Sequence, residues 1–170
     1  RLQPDNSLAA ELLLASAAAL AEQNQGLRIL LVGDGERLEA FKQQAAAINQ
    51  KLGYPCVVMT GGRTDVARLV AACDVFVGVS RAALEAMSAG KPTVLCGNAG
   101  YGGIAREEAA AANLASNYCC RGNRMGTAVE LTADIQTLLT MPKEQRIAIG
   151  MEDRGIVERD FSLNAMVRNC

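Results

Sequence analysis

The sequence predicts an α/β protein built on a doubly wound parallel sheet, and three observations predict it. Four times in succession a short apolar run ends in a glycine loop and gives way to a helical pattern. Each run is apolar almost throughout, the mark of a parallel strand buried on both faces. Parallel strands joined by right-handed crossovers place helices on both sides of a sheet, which is the doubly wound arrangement. Finally, 170 residues of which 50% are hydrophobic suffice for one core and are too few for two.

The elements follow in order. "SLAAELLLASAAALAEQN" (7–24) is rich in the strong helix formers Ala and Leu, and Ser7 with Glu11 suits a helix start. "LRILLV" (27–32) is a strand entering "GDG". A helix over 36–51 leads to the strand "CVVMT" (56–60), then "GGR", a helix over 64–72, the strand "DVFVG" (74–78), a helix over 81–89 and the strand "PTVLCG" (92–97). After a glycine-rich loop at 97–103 come a helix over 105–112, a short strand near 115–119, a helix over 127–140 and a closing helix from 143. The Ala-rich stretch 109–112 is read as helix.

Composition excludes several function classes. Seventeen basic against eighteen acidic residues lack the basic excess of a phosphate-backbone reader, so nucleic acid is not the expected partner. The apolar stretches 11–21 and 69–79 fall short of the roughly 20 residues that span a bilayer, so no membrane span is expected. With no histidine, Ser-His-Asp and Cys-His catalysis and His-based metal sites within this chain are ruled out. Cys56, Cys73 and Cys96 sit in apolar runs as small hydrophobes, and Cys119, Cys120 and Cys170 make no CxxC pair. A reducing, cytoplasmic setting and no metal are therefore expected. "RLQPDNSLAAELLL" carries neither a start Met nor a signal-peptide pattern, as expected of a segment from inside a longer polypeptide.

Ligands of doubly wound sheets bind at the carboxyl ends of the strands. Those ends are Gly33 to Gly35, Thr60 to Arg63, Gly78 to Arg81 and Gly97 to Ile104. Glycine loops with outward amides, beside helix N-termini, suit a phosphorylated ligand. The same glycines also serve simple tight turns in α/β proteins of every function. Neither GxxxxGK[ST] nor GxGxxG occurs, which excludes a Walker loop and a dinucleotide fingerprint. Ser80 is expected to cap the helix that follows, with Leu84 and Met87 toward the sheet. Glu85, about 100° round that helix from Leu84, then reaches the crevice rim, where a carboxylate can accept from a ribose diol. Alternatively it is a solvated residue paired with Arg81. Arg106 is within reach of the glycine-rich loop, and "CCRGNRMG" reads as a surface loop.

"RLQPDNS", "LRILLVGDGERLEAF", "ARLVAACDVFVGVSRAALEAMSAGKPTVL" and "GYGGI", in this order, resemble the carboxyl-terminal half of a GT-B fold glycosyltransferase of group 1, family 4 type. The resemblance covers nearly the whole chain and implies a Rossmann-like donor-binding domain over 1–142, with the helix 143–170 packed on it. Its most specific stretch is Asp74 to Pro92, which in that family forms the nucleotide-sugar donor site, with the glutamate of E-A-M-x-A-G-x-P on the ribose; Glu85 stands there.

The resemblance further implies a donor site made of Arg1, Gly33, Gly35, Gly61, Arg63, Ser80, Arg81, Glu85, Gly100, Tyr101, Gly102, Gly103 and Ile104. Gly61 to Arg63 would lie by the base, 99–104 by the diphosphate or sugar, and Arg1 would neutralise phosphate charge. Asn6 replaces the family's lysine and Val77 replaces the first glutamate of its acidic pair. The implied function is retaining sugar transfer from a nucleotide-diphosphate sugar, without cofactor, in surface polysaccharide or glycolipid synthesis. The partner would be an amino-terminal half of the same polypeptide, which carries the acceptor and any peripheral membrane contact. Competing expectations are an isomerase like the UDP-N-acetylglucosamine 2-epimerases, and a catalytically silent binding domain.

Overall fold

The computed structural model describes residues 2–161; Arg1 and residues 162–170, including Cys170 and the end of the expected closing helix, lie outside the described residues. In order the chain forms α1 (Leu8–Gln23), β1 (Ile29–Val32), α2 (Leu38–Leu52), β2 (Val57–Gly61), α3 (Val66–Ala72), β3 (Phe76–Gly78), α4 (Ser80–Ser88), β4 (Thr93–Gly97) and β5 (Gly100–Ile104). A short 3-10 turn, Glu107–Ala109, leads into α5 (Ala110–Ala115), followed by α6 (Ala128–Thr140) and α7 (Lys143–Phe161).

β1 and β2 pair in parallel, with Ile29 opposite Val57. β3 and β4 pair in parallel, with Phe76 opposite Thr93, and β5 runs antiparallel to β4, with Leu95 opposite Gly103. The α/β class and its parallel pairs are as expected, but the strands form two sheets, β1–β2 and β3–β4–β5.

Two local expectations are corrected. The glycine-rich stretch 97–103 is not a free loop, since Gly100 to Ile104 form β5. Glycine suits that strand because it lies close to its neighbours: a Cβ on Gly102 would stand 2.9 Å from Cys120 Sγ and 3.0 Å from Leu95 Cβ. No strand forms near 115–119 either; α5 runs to Ala115, and Asn117 and Tyr118 adopt left-handed φ of 53° and 55°, which a strand cannot contain.

The main core forms where α1 meets α6. Leu14, Ala17 and Leu20 recur at helical spacing on one face of α1 and meet Leu131, Ile135 and Leu138 of α6, with Phe41 of α2 in the same cluster. Polar ties fix the pairing: Ser16 Oγ donates to the Ala128 carbonyl (3.1 Å) and Asn24 Nδ2 to Gln136 Oε1 (2.7 Å). A second cluster joins Ala83 and Met87 of α4 to Leu95, Tyr118 and Ile156.

α6 begins with a capping box. Thr127 Oγ1 accepts from the Glu130 N–H (3.3 Å), and Glu130 Oε2 accepts from the Thr127 N–H (3.1 Å). Arg124, paired with Glu130, is the main reason its carboxyl is held down at about 2, with Thr127 adding to the effect. Thr127→Ala is expected to lower stability in urea by about 1 kcal/mol. An unchanged midpoint would show that water replaces the cap at no cost.

Candidate functional site

A groove of about 1140 Å³ runs between the two sheets, from the amino ends of β1 and β3 to their carboxyl ends. Its body is apolar. Its rim at the carboxyl ends is polar, carrying Gly33, Asp34, Gly35, Gly62, Arg63 and Glu85.

Each rim residue is placed by the element before it. The Gly33 N–H donates to the Gly61 carbonyl (3.0 Å), which joins the loops after β1 and β2. Asp34 Oδ1 accepts from the Gly35 N–H (2.8 Å), closing a tight turn. Gly35 has φ +152°, and a Cβ there would lie 2.6 Å from the Leu2 carbonyl oxygen, so only glycine fits. Arg63 holds a two-pronged bond to Asp65 (Nε to Oδ1, 2.8 Å; Nη2 to Oδ2, 2.7 Å), and this guanidinium keeps the Asp65 carboxyl below its usual range.

Glu85 projects from the middle of α4 and is about half exposed. Arg81 Nε donates to its Oε1 at 2.8 Å, and the Arg81 side chain is 91% exposed. Both sequence readings of Glu85 therefore describe the same side chain: it pairs with Arg81 and it stands on the rim. An exposed i,i+4 pair of this kind is worth about 0.3–0.5 kcal/mol, so it leaves the carboxylate available to a ligand.

The structure brings Gly33, Gly35, Arg63 and Glu85 to one rim, with Gly61 directly behind and Arg81 joined through Glu85. Ser80 is not the expected cap. Val79 occupies the N-cap position, no side-chain cap bond forms, and Ser80 itself has φ 56° with its N–H donating to the Tyr118 carbonyl at 2.7 Å. Gly100, Tyr101, Gly102, Gly103 and Ile104 lie in β5 and do not line the groove. Tyr101 instead donates to Asp134 Oδ2 (2.5 Å); burial, then this bond, pushes its phenol well above the ordinary range. Arg106 does not line the groove either, and its charge bears on Asp153. Arg1 lies outside the described residues.

Two rim groups, Asp34 and Gly62, carried no assigned role in the sequence reading. Their sequence signal was position alone, at the end of an apolar run. Together the rim offers two carboxylates as acceptors, two guanidiniums and glycine-framed backbone, an arrangement that can grip a ligand bearing both hydroxyls and anionic charge. Among the described residues no helix is long and apolar enough to cross a membrane.

The strand order, the helices and this rim define the class: a Rossmann-like α/β unit of the GT-B glycosyltransferase fold. The family model for glycosyl transferases group 1 matches residues 1–139, and the chain belongs to that family. Among solved structures it is similar to Anabaena HepE in complex with UDP and glucose, at 23% identity and TM-score 0.69, over 99% of this chain and 44% of that one. It is also similar to a S. aureus TarM mutant in complex with fondaparinux, alpha-GlcNAc-glycerol and UDP (14% identity, TM-score 0.73, 99% of this chain and 32% of that one). A glycosyltransferase from Rickettsia africae matches at 18% identity and TM-score 0.60, over 95% of this chain and 42% of that one. The chain thus spans less than half the length of the solved structures it matches. No curated protein matches the sequence.

Proposed function

We propose that this chain is the donor-binding half of a retaining glycosyltransferase that moves a sugar from a nucleotide-diphosphate sugar to an acceptor in surface polysaccharide or glycolipid synthesis. The half that carries the acceptor belongs to the same polypeptide, amino-terminal to this one, and the enzyme works in the cytoplasm. The observation that carries this reading is Glu85 on the rim, opposite the loops of Gly33 to Gly35 and Gly62 to Arg63.

A carboxylate is an acceptor-only group and suits a ribose diol, which donates two hydroxyl protons. The guanidiniums and loop amides supply the opposite chemistry and would stabilise a departing diphosphate as its charge develops. No cofactor enters this scheme. Donor binding alone would not produce turnover, because transfer also needs the facing half to bring the acceptor and close off water. Gly100 to Ile104 and Arg1 remain part of the proposed donor site, reached from the β5 side and from the start of the chain.

The HepE and TarM complexes hold UDP, so UDP is the first probe, with GDP and ADP beside it. Titration calorimetry on the protein should show binding of one of the three, and Glu85→Ala should weaken it about tenfold or more, the worth of a hydrogen bond to a charged group. Unchanged affinity in the variant would remove the ribose assignment.

The catalytically silent reading is favoured by one observation. Val77, at the position of the family's first glutamate, lies inside β3 rather than in a loop, so no carboxylate reaches the rim from there. Donor binding without transfer or donor hydrolysis by the longer protein would decide for it.

A further inference from the structure

The groove body is a separate matter from its rim. β1 bonds only to β2 and β3 only to β4 among the described residues, so each turns one edge toward the groove. In a parallel ladder the N–H and C=O of one residue point to the same side, and successive residues alternate. Ile29 and Gly33 donate to β2 and its flank, which directs the backbone groups of Leu30 and Val32 into the groove. Phe76 donates to the Pro92 carbonyl beside β4, which directs those of Val75 and Val77 into the groove from the other side. Two facing rows of donors and acceptors, set between apolar side chains of α1, α3 and α6, are a costly thing to leave to water, and an edge of this kind is a template for a strand.

The start of the described chain shows the same pattern. The Leu2 N–H donates to the Asp34 carbonyl (2.9 Å) and the Leu2 carbonyl accepts from the Arg37 N–H (3.0 Å). Asp34 has the parity of Leu30 and Val32, so Leu2 already occupies the first position beside the open edge of β1, at its carboxyl end. The Leu2 side chain is 5% exposed and packs on Gly33. From there the chain turns into α1, which lines the groove with Leu13 and Leu20 and returns to the amino end of β1. A strand that rose through the groove into Leu2 would make, with α1 and β1, one βαβ unit of the usual hand.

We propose that the groove between β1 and β3 receives, as a parallel strand, the segment that leads into Arg1 in the longer polypeptide, and that this strand joins the two sheets into one. The inference rests on the reading that this chain is one half of a longer protein. The segment is extended and apolar on both faces, as a strand buried between helices must be. Once it is in place the groove body is filled by protein, and only the polar rim remains to a ligand. It also locks the Asp34 to Arg37 turn through Leu2, so that it builds one wall of that rim.

Amide hydrogen exchange on the longer protein without nucleotide tests this. The Leu30, Val32, Val75 and Val77 amides should exchange at least about 100-fold more slowly than unstructured amides, within the most protected group of the molecule. Unprotected exchange at these four amides would overturn the proposal, even in a protein that binds UDP. Protection that disappears on dilution would mean that a second copy fills the groove, and an apolar molecule carried through native mass spectrometry would mean a ligand does; either overturns it. Protection in a protein that binds no nucleotide supports the strand and sinks only the donor-binding reading.

Discussion

Gly150→Ala is expected to lower stability by about 3 kcal/mol, the upper end of what overpacking a well-filled site costs. A Cβ on Gly150 of α7 would collide with the Gly90 carbonyl, standing 2.7 Å from its carbon and 3.1 Å from Pro92 Cδ. The obstacle is backbone. Gly90 has φ +70° and ends the turn between α4 and β4, so it cannot swing aside as a long side chain would. α7 would have to lift off α4, and Ile149, Asp153 and Ile156 on the same face are all buried. Urea denaturation measures this, with Gly155→Ala as the control, since nothing lies within 4 Å of a Cβ there. Equal midpoints for the two variants would show that α7 shifts freely.

Asp153→Asn is expected to change the pH dependence of stability by a comparable amount. Asp153 is fully buried; Oδ2 accepts from the Thr93 N–H (3.2 Å), and Oδ1 has no partner among the described residues. Burial pushes its carboxyl from 3.8 up to about 8, against the smaller lowering effect of the Thr93 bond. The folded protein therefore keeps this proton over a range in which the unfolded chain has released it. Because the folded state binds more protons between about pH 4 and pH 8, stability falls as pH rises through that window. The span from 3.8 to about 8 corresponds to at most about 5 kcal/mol. Asn imitates the protonated acid and keeps an acceptor for Thr93. The variant should match the parent near pH 4 and exceed it by several kcal/mol near pH 8, an amount on the scale of an unpaired buried charge. Parallel stability curves would mean that the ionised carboxylate is accommodated after all.

The legible parts of this protein were those set by neighbours in sequence. The runs Ile29 to Val32 and Thr93 to Gly97 announced themselves as strands because each is an unbroken apolar run, Gly97 aside, and each is followed by a glycine. Glu85 could be placed at the crevice because helical geometry fixes its angle to Leu84 and Met87, and Met87 is indeed fully buried while Glu85 is exposed. Ser80 misled because a serine before a helix reads as a cap, whereas its N–H is claimed by Tyr118, thirty-eight residues away.

By itself the sequence determined the alternation of strand and helix and the loop in which each strand ends, since both follow from local periodicity and from the backbone freedom of glycine. Only the tertiary structure decided that Gly100 to Ile104 become a strand, that Asp34 and Gly62 share a rim with Glu85, and that the strands fall into two sheets with a groove between. These depend on partners distant along the chain, such as Cys120 against Gly102 and Gly150 against Gly90. A contact of that kind leaves no periodic mark in either segment, because its energy comes from the fit of two surfaces that meet only after folding.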